Sequence, residues 1–315
     1  MSAPLAIFAR GLTKHYGENA VLNGIDIAIP KGTVFALLGP NGAGKTTTVR
    51  ILTTLTKPDG GTAVIASADI ADDPDGVRRR IGVTGQFSAV DELLTARENL
   101  LLMSDLLHLP RRAGKNRAQE LLEQFDLLDA ADRTSSTFSG GMLRRLDLAM
   151  TLMGNPEILF LDEPTTGLDP RSRRAMWDII RMLVTQGTTV FLTTQYLEEA
   201  DQLANQIAVL DNGRIVAAGT PSELKRLVPG GHIKLEFSSS SDLEAAAVSF
   251  SRAVRDEEAL TLSVASDGGV ASLRNVLDQL SDAGVEPDGI SVHTPDLDDV
   301  FLTLTGHTAE KETTR

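Results

Sequence analysis

Residues 34–55 read VFALLGPNGAGKTTTVRILTTL: an apolar run, a glycine loop and a segment of helical pattern, with nothing between them. This junction constrains the chain more than any other stretch. The spacing G-x-x-x-x-G-K-[ST] has chemical meaning only where a buried strand delivers the loop to a helix N-terminus, and that context is present here. Glycines let the backbone wrap around phosphates, and the amides of Gly42 to Thr47 are expected to point inward at the positive end of the helix. Gly39, Pro40, Asn41, Gly42, Ala43, Gly44, Lys45, Thr46 and Thr47 are therefore candidate nucleotide contacts. Lys45 is expected to meet the β- and γ-phosphates, and the Thr46 hydroxyl to ligate Mg²⁺. A fortuitous glycine turn is the competing reading, and the strand and helix flanks weigh against it.

The rest of the chain reads as α/β. Residues 5–30 alternate apolar and polar, which predicts paired antiparallel strands. TAVIAS (62–67) reads as a strand, and IGVTGQ (81–86) as a buried one. Residues 92–153 carry helical periodicity in several pieces. ILFLDE (158–163) and TTVFLTT (188–194) read as strands on either side of the helix SRRAMWDIIRMLVTQ, the crossover unit of a parallel sheet. IAVLDNGRIVAAGT (207–220) reads as a hairpin. The boundaries expected are a nucleotide-binding unit over 1–230 with a helical insert at about 87–155, a small α/β unit over 231–306, and a disordered tail over 307–315. In the second unit the pattern predicts strands at 232–237, 259–266 and 289–294, alternating with helices at 241–254, 270–284 and 296–306.

ILFLDE ends in two acids. Asp162 at the mouth of a sheet can hold Mg²⁺ through its waters, and Glu163 can take a proton from attacking water as a general base. A solvated pair of acids at a strand end is the plainer alternative. Composition narrows the partners. A net charge of −13 argues against nucleic acid, and basic clusters such as Arg78-Arg79-Arg80 read as solvated helix faces. No apolar run approaches the roughly 18 residues that cross a bilayer. Without a cysteine there is no disulfide and no thiolate-bound zinc, and the five histidines show no ligand spacing.

Between the glycine loop and the acidic pair stands Phe138-Ser139-Gly140-Gly141-Met142, a Ser-Gly-Gly turn opening a helix. By itself it is a flexible helix start with a serine cap. In this order of motifs the chain resembles the ATP-binding subunit of an ATP-binding cassette (ABC) transporter. The resemblance implies a P-loop NTPase core of the ABC type, an N-terminal antiparallel β subdomain, a helical insert carrying the signature turn, and a small C-terminal α/β domain.

It also implies a head-to-tail homodimer, in which Ser139, Gly140 and Gly141 bind the γ-phosphate of the partner's ATP. Tyr16 matches the aromatic residue that stacks on adenine. Gln86 matches the glutamine that touches Mg²⁺ or the lytic water. Asp169, in TTGLDP, matches the loop that meets the other subunit, although GLDP is also a good helix-start turn. Met142 and Phe138 depart mildly from the common Gln and Leu.

The larger departure is Gln195, where most members carry histidine. Glutamine can donate to phosphate but cannot become imidazolium, so slow or partner-dependent hydrolysis is expected. The helix FSGGMLRRLDLA, the segment TTQYLEEADQLA and the motif LDDVFLTLTG resemble the daunorubicin/doxorubicin-resistance exporter group. That likeness implies ATP and Mg²⁺ as cofactors, drug or lipid-like cargo, a separate integral membrane permease, and a place on the cytoplasmic face of a bacterial, actinomycete membrane. A helix of the permease would dock near 86–100, with Phe87, Val90 and Leu93 as contacts or else as core. Two other readings are an ABC ATPase acting on nucleic acid or ribosomes, and a slow-hydrolysing ATP-binding switch.

Overall fold

The computed structural model of the chain describes residues 4–85, 88–227, 231–250, 253–266, 269–293 and 296–305, with the backbone alone for 302–305. Two compact units result, Met1–Pro221 and Ser222–Arg315.

The first unit begins with β1 (Leu5–Tyr16) and β2 (Asn19–Pro30), paired antiparallel as their alternation requires. The buried strand β3 (Val34–Leu38) feeds the glycine loop and α1 (Lys45–Leu52). β4 (Gly60–Ile65) and the two-residue β5 (Ala68–Asp69) complete an antiparallel sheet in the order β2-β1-β4-β5. After α2 (Pro74–Arg78) and β6 (Ile81–Thr84) come α3 (Ala96–Leu106), α4 (Arg111–Gln124) and α5 (Gly140–Thr151). Thr95 and Glu98 form a reciprocal capping box at the start of α3. Next are β7 (Ile158–Asp162), α6 (Pro170–Thr185), β8 (Thr189–Thr194), α7 (Leu197–Leu203), β9 (Gln206–Asp211) and β10 (Arg214–Gly219).

The central sheet runs β10-β9-β3-β8-β7-β6. Its pairs are parallel except β9 with β10, which form the predicted hairpin. β7 and β8 are buried along their whole length, the mark of strands covered on both faces. Phe35, Phe191 and Phe160 stand in register across β3, β8 and β7, with ring centroids 5.4 and 5.3 Å apart. Those rings join Val49, Ile51 and Leu52 of α1 and the inner faces of β1 and β2 in one apolar cluster. The glycine loop is thus anchored by core on both of its flanks.

One strand differs from expectation. β6 is the edge of the central sheet, and Val83 on it is 38% exposed. Its apolar residues look buried in sequence, but with a strand on one side only, Val83 opens onto a surface cavity instead.

The second unit opens with α8 (Pro221–Lys225), whose first residue closes the first unit. It contains β11 (His232–Glu236), α9 (Ser240–Ser249), β12 (Val254–Asp256), β13 (Thr261–Ala265), α10 (Val270–Asp282), β14 (Gly289–His293) and α11 (Leu297–Thr305). The sheet order is β12-β13-β11-β14, with every neighbouring pair antiparallel. Ile233, Leu235 and Leu262 face Leu243, Ala246, Val276 and Leu280 in a separate core. The helix expected over 241–254 stops at Ser249. Phe250 leaves helical geometry (φ −125, ψ 91) with its ring buried, and Val254 enters β12. The predicted tail, 307–315, lies outside the described residues.

Candidate functional site

Three glycines of the loop are required for different reasons. A Cβ on Gly39 would lie 2.3 Å from the carbonyl oxygen of Leu210, at the end of β9. Gly44 has φ +111, and a Cβ there would meet Leu22 at 2.7 Å. Gly42 has φ +82 but faces open space, so its need is conformational.

Lys45, the first residue of α1, is buried at the loop's centre. Its Nζ donates to the carbonyls of Gly39 (2.8 Å) and Pro40 (3.1 Å), and lies 3.6 Å from Glu163 Oε1. Burial pushes the ammonium's pKa below its ordinary value, while Glu163 and then Asp162 pull it back up. A cavity of about 370 Å³ opens over this lysine. Its lining brings together Pro40, Asn41, Gly42, Gly44, Thr46 and Thr47 with Tyr16 and Glu163. The place fits the rule that open α/β sheets bind ligands beyond the C-terminal ends of their strands. Another cavity, near Glu157 and Thr189, lies at the opposite ends of β7 and β8.

Asp162 and Glu163 occupy different settings. Asp162 is buried and accepts from Thr193 Oγ1, its register partner's hydroxyl on β8. Glu163 turns out of the strand with φ +51, a left-handed conformation that is uncommon for a residue with a side chain. Its amide donates to the Thr193 carbonyl and hydroxyl, at 3.2 and 3.1 Å. Thr166 Oγ1 donates to its carboxylate at 3.4 Å. The acid is therefore presented to the cavity rather than lying freely solvated at a strand end.

Thr46 and Asp162 offer one hydroxyl and one carboxylate. Among the described residues no group of three or more acids or histidines is placed to hold a metal alone. That donor set fits Mg²⁺, which binds through one or two protein oxygens together with nucleotide phosphates and water.

Tyr16 ends β1, half exposed on the cavity wall, with Lys14 Nζ 5.5 Å from its ring centroid. Lys14 is held in turn by Asp59 at 2.8 Å. Gln195 is exposed just beyond β8, at the level where Thr194 accepts from the amide of Gly39, and it lies outside the cavity lining. Gln86 and Phe87 lie outside the described residues. Leu93 is 86% exposed, which excludes core packing for it, and Val90 is half-buried.

The signature turn is also outside the lining. Ser139 caps α5, accepting from the Met142 amide at 3.3 Å, and both it and Gly140 are exposed. A Cβ on Gly140 would meet nothing, whereas one on Gly141 would strike Ser172 Oγ at 2.5 Å. Asp169 caps α6, accepting from the amides of Arg171 and Ser172 and from the Ser172 hydroxyl. These donors hold its carboxyl below the usual carboxylate range.

Sequence reasoning missed two groups, one mostly and one fully buried. Arg144 on α5 donates to the carbonyls around the acidic pair. Glu199 on α7 is fully buried, and its Oε1 accepts from Thr165 Oγ1 (2.9 Å) and Trp177 Nε1 (3.2 Å). Burial pushes the Glu199 carboxyl up, and Oε2 has no hydrogen-bond partner among the described residues. A charged residue on the apolar stripe of each helix was the available signal.

The ABC transporter family profile matches residues 22–166. The chain is 51% identical, over 97% of its own length and 96% of the relative's, to the daunorubicin resistance ATP-binding protein DrrA2 of Streptomyces coeruleorubidus. It is 47% identical, over 98% and 95%, to the daunorubicin/doxorubicin resistance ATP-binding protein DrrA of Streptomyces peucetius. Among solved structures it is similar to a dimeric post-hydrolysis state of an ATP-binding cassette bound to ADP and Pi. That likeness has a TM-score of 0.61 and 27% identity, and covers 68% of this chain and 98% of the other.

Proposed function

We propose, from the premise that this chain belongs to the ABC transporter family of ATP-hydrolysing proteins, that it powers export of a hydrophobic drug, antibiotic or lipid-like compound. The relatives named for daunorubicin resistance support that cargo class. No described helix is long and apolar enough to cross a membrane; in this reading a separate permease supplies the pathway. The working site is then the cytoplasmic face of an actinomycete membrane.

In this reading ATP sits over Lys45 with adenine against Tyr16, and Thr46 and Asp162 would hold Mg²⁺. Bound Mg²⁺ would neutralise phosphate charge. Glu163 takes the proton of the attacking water. Lys45 attracts the β- and γ-phosphates, and their arrival competes with its hold on the Gly39 and Pro40 carbonyls. Gln86 and Gln195 orient water and γ-phosphate.

One observation carries the dimeric mechanism: Ser139 and Gly140 are exposed and absent from the lining of their own chain's cavity. Their helix-start amides and the Ser139 hydroxyl are spare donors, suited to a phosphate held by another copy. Ser139→Arg is expected to abolish ATP-driven dimerisation while ATP binding to the monomer persists. Light scattering with and without ATP measures the first, and titration with a fluorescent ATP analogue the second. A variant that still dimerises on ATP refutes the reading of this turn.

The permease has a matching place. A cavity of about 440 Å³ lies between β6 and the insert, lined by Val83, Ala89, Met103, Leu107 and Met150. Its apolar lining suits an apolar helix end of the membrane subunit. Gln195→Ala is expected to lower turnover by about 10- to 100-fold, the worth of one hydrogen bond to a charged group, with smaller change in ATP affinity. Equal turnover of variant and wild type at saturating ATP removes Gln195 from the mechanism.

A further inference from the structure

Arg144, mostly buried, and Asp147, buried, stand one turn apart on α5 and belong to none of the residues assigned to nucleotide. The arginine's contacts fall in two places. Its Nε donates to the carbonyl of Pro164 at 2.9 Å, and Nη2 to those of Asp162 (3.3 Å) and Glu163 (3.4 Å). Its Nη1 donates to the carbonyl of Gly85 at 2.9 Å and to Asp147 Oδ2 at 3.2 Å. Asp147 Oδ1 accepts from the amide of Ala89 at 2.9 Å. One planar guanidinium therefore joins three consecutive carbonyls of the acidic turn to the end of β6. The aspartate fixes its orientation and ties down the chain four residues beyond Gly85.

We propose that Arg144, oriented by Asp147, is a positioning residue for hydrolysis: it fixes the main chain of Asp162–Pro164 so that the Glu163 carboxylate faces the cavity, and it locks that turn to Gly85 and Ala89. Glu163 sits at φ +51, its amide is secured on the β8 side, and inside the turn its carbonyl accepts from the Thr166 amide at 3.3 Å, so an outside contact adds to the hold. Arg144 supplies that contact on the carbonyl side. Arginine suits the task because its fork of donors is planar and rigid, where a lysine ammonium would be a single point. Burial lowers the Arg144 pKa and raises that of Asp147, and each partner's charge opposes the other's shift. The arrangement has a second consequence. Asp147 and Ala89 both line the cavity beneath the insert, so the clasp connects that surface to the acidic turn through two side chains. The inference rests on Glu163 serving as the base.

The test compares the purified full-length chain with Arg144→Lys and Arg144→Gln. Expected is a fall in kcat of about 10- to 100-fold, the scale of a misplaced reacting group, with ATP affinity within about twofold. In a Glu163→Gln background, followed in single turnovers, Arg144→Lys should add little further loss, because its effect passes through that carboxylate. Asp147→Asn keeps an acceptor for Ala89 but removes the charge facing Arg144; it should lower kcat several-fold with the same split. It also decides the matter if neither Arg144 variant folds. Full kcat in a folded Arg144 variant overturns the proposal. So does an equal loss of kcat and ATP affinity, or an undiminished loss in the Glu163→Gln background. If Glu163→Gln alone leaves turnover intact, the reading of the base has failed instead. If only Asp147→Asn can be made and its kcat is unchanged, the proposal falls.

Discussion

Glu163→Gln is expected to reduce ATP turnover by about 10²- to 10⁴-fold, the range for loss of a positioned general base, while ATP still binds. That loss equals about 2.7–5.5 kcal/mol of barrier. The substitution preserves shape, so the turn at φ +51 and its contacts with Thr193 and Arg144 are retained, since all of those use the main chain. What disappears is an acceptor able to take a proton. Lys45 remains bound to the Gly39 and Pro40 carbonyls. Its pKa, already pushed down by burial, loses the counter-pull of the carboxylate and falls further. ATP phosphates then supply the negative charge that Glu163 withdrew, so affinity is expected to hold or rise. Phosphate release measures turnover, and titration with a fluorescent ATP analogue measures affinity. Light scattering should show an ATP-bound dimer that outlives that of the wild type. Turnover within about threefold of wild type, far short of the general-base range, would leave Glu163 without its role.

The features legible in sequence share a property: each is contiguous. The loop from Gly39 to Thr47 works through its own amides and the strand and helix at its ends, so reading along the chain recovers strand, loop and helix together. The acids of ILFLDE are likewise placed by the strand that precedes them. Arg144 had no such signature, because its acceptors are main-chain carbonyls 20 and 59 residues away and any residue type supplies a carbonyl. Glu199 was hidden in the same way by partners 34 and 22 residues distant.

Edges obey the same limit. Val83 looked buried because an apolar run does not reveal that β6 has only one neighbour. Helical periodicity runs five residues past the end of α9 because Phe250 belongs to the core in either conformation. Ser139 and Asp169 were legible as helix caps, and the structure gives them that role. A function toward a second copy leaves no trace in contacts within one chain.

Glu199→Ala is expected to destabilise the Met1–Pro221 unit by about 3–5 kcal/mol, as breaking a buried polar network does. The carboxyl is inaccessible, and its Oε1 is the acceptor for both Thr165 and Trp177. Alanine would orphan those donors at about 1–3 kcal/mol each and leave a void. Thr165 belongs to the loop following Glu163, Trp177 to α6 and Glu199 to α7, so three elements would loosen at once.

Glu199→Gln tests the electrostatic half of the argument, because an amide oxygen can still accept from both donors without burying a charge. Burial raises the folded pKa of Glu199 above its ordinary 4.5. Between those two values the folded wild type binds more protons than the unfolded chain, so its stability falls as pH rises. The glutamine variant has no such dependence. It should gain on the wild type by up to about 1.4 kcal/mol per pH unit, starting near the ordinary glutamate value and ending at the raised one. Trp177 is the chain's one tryptophan, so its fluorescence follows unfolding of this unit at this network. Urea unfolding at a series of pH values decides the matter. Parallel stability curves for wild type and Glu199→Gln from about pH 4 to 8 would mean that the carboxyl is no more costly to ionise folded than unfolded.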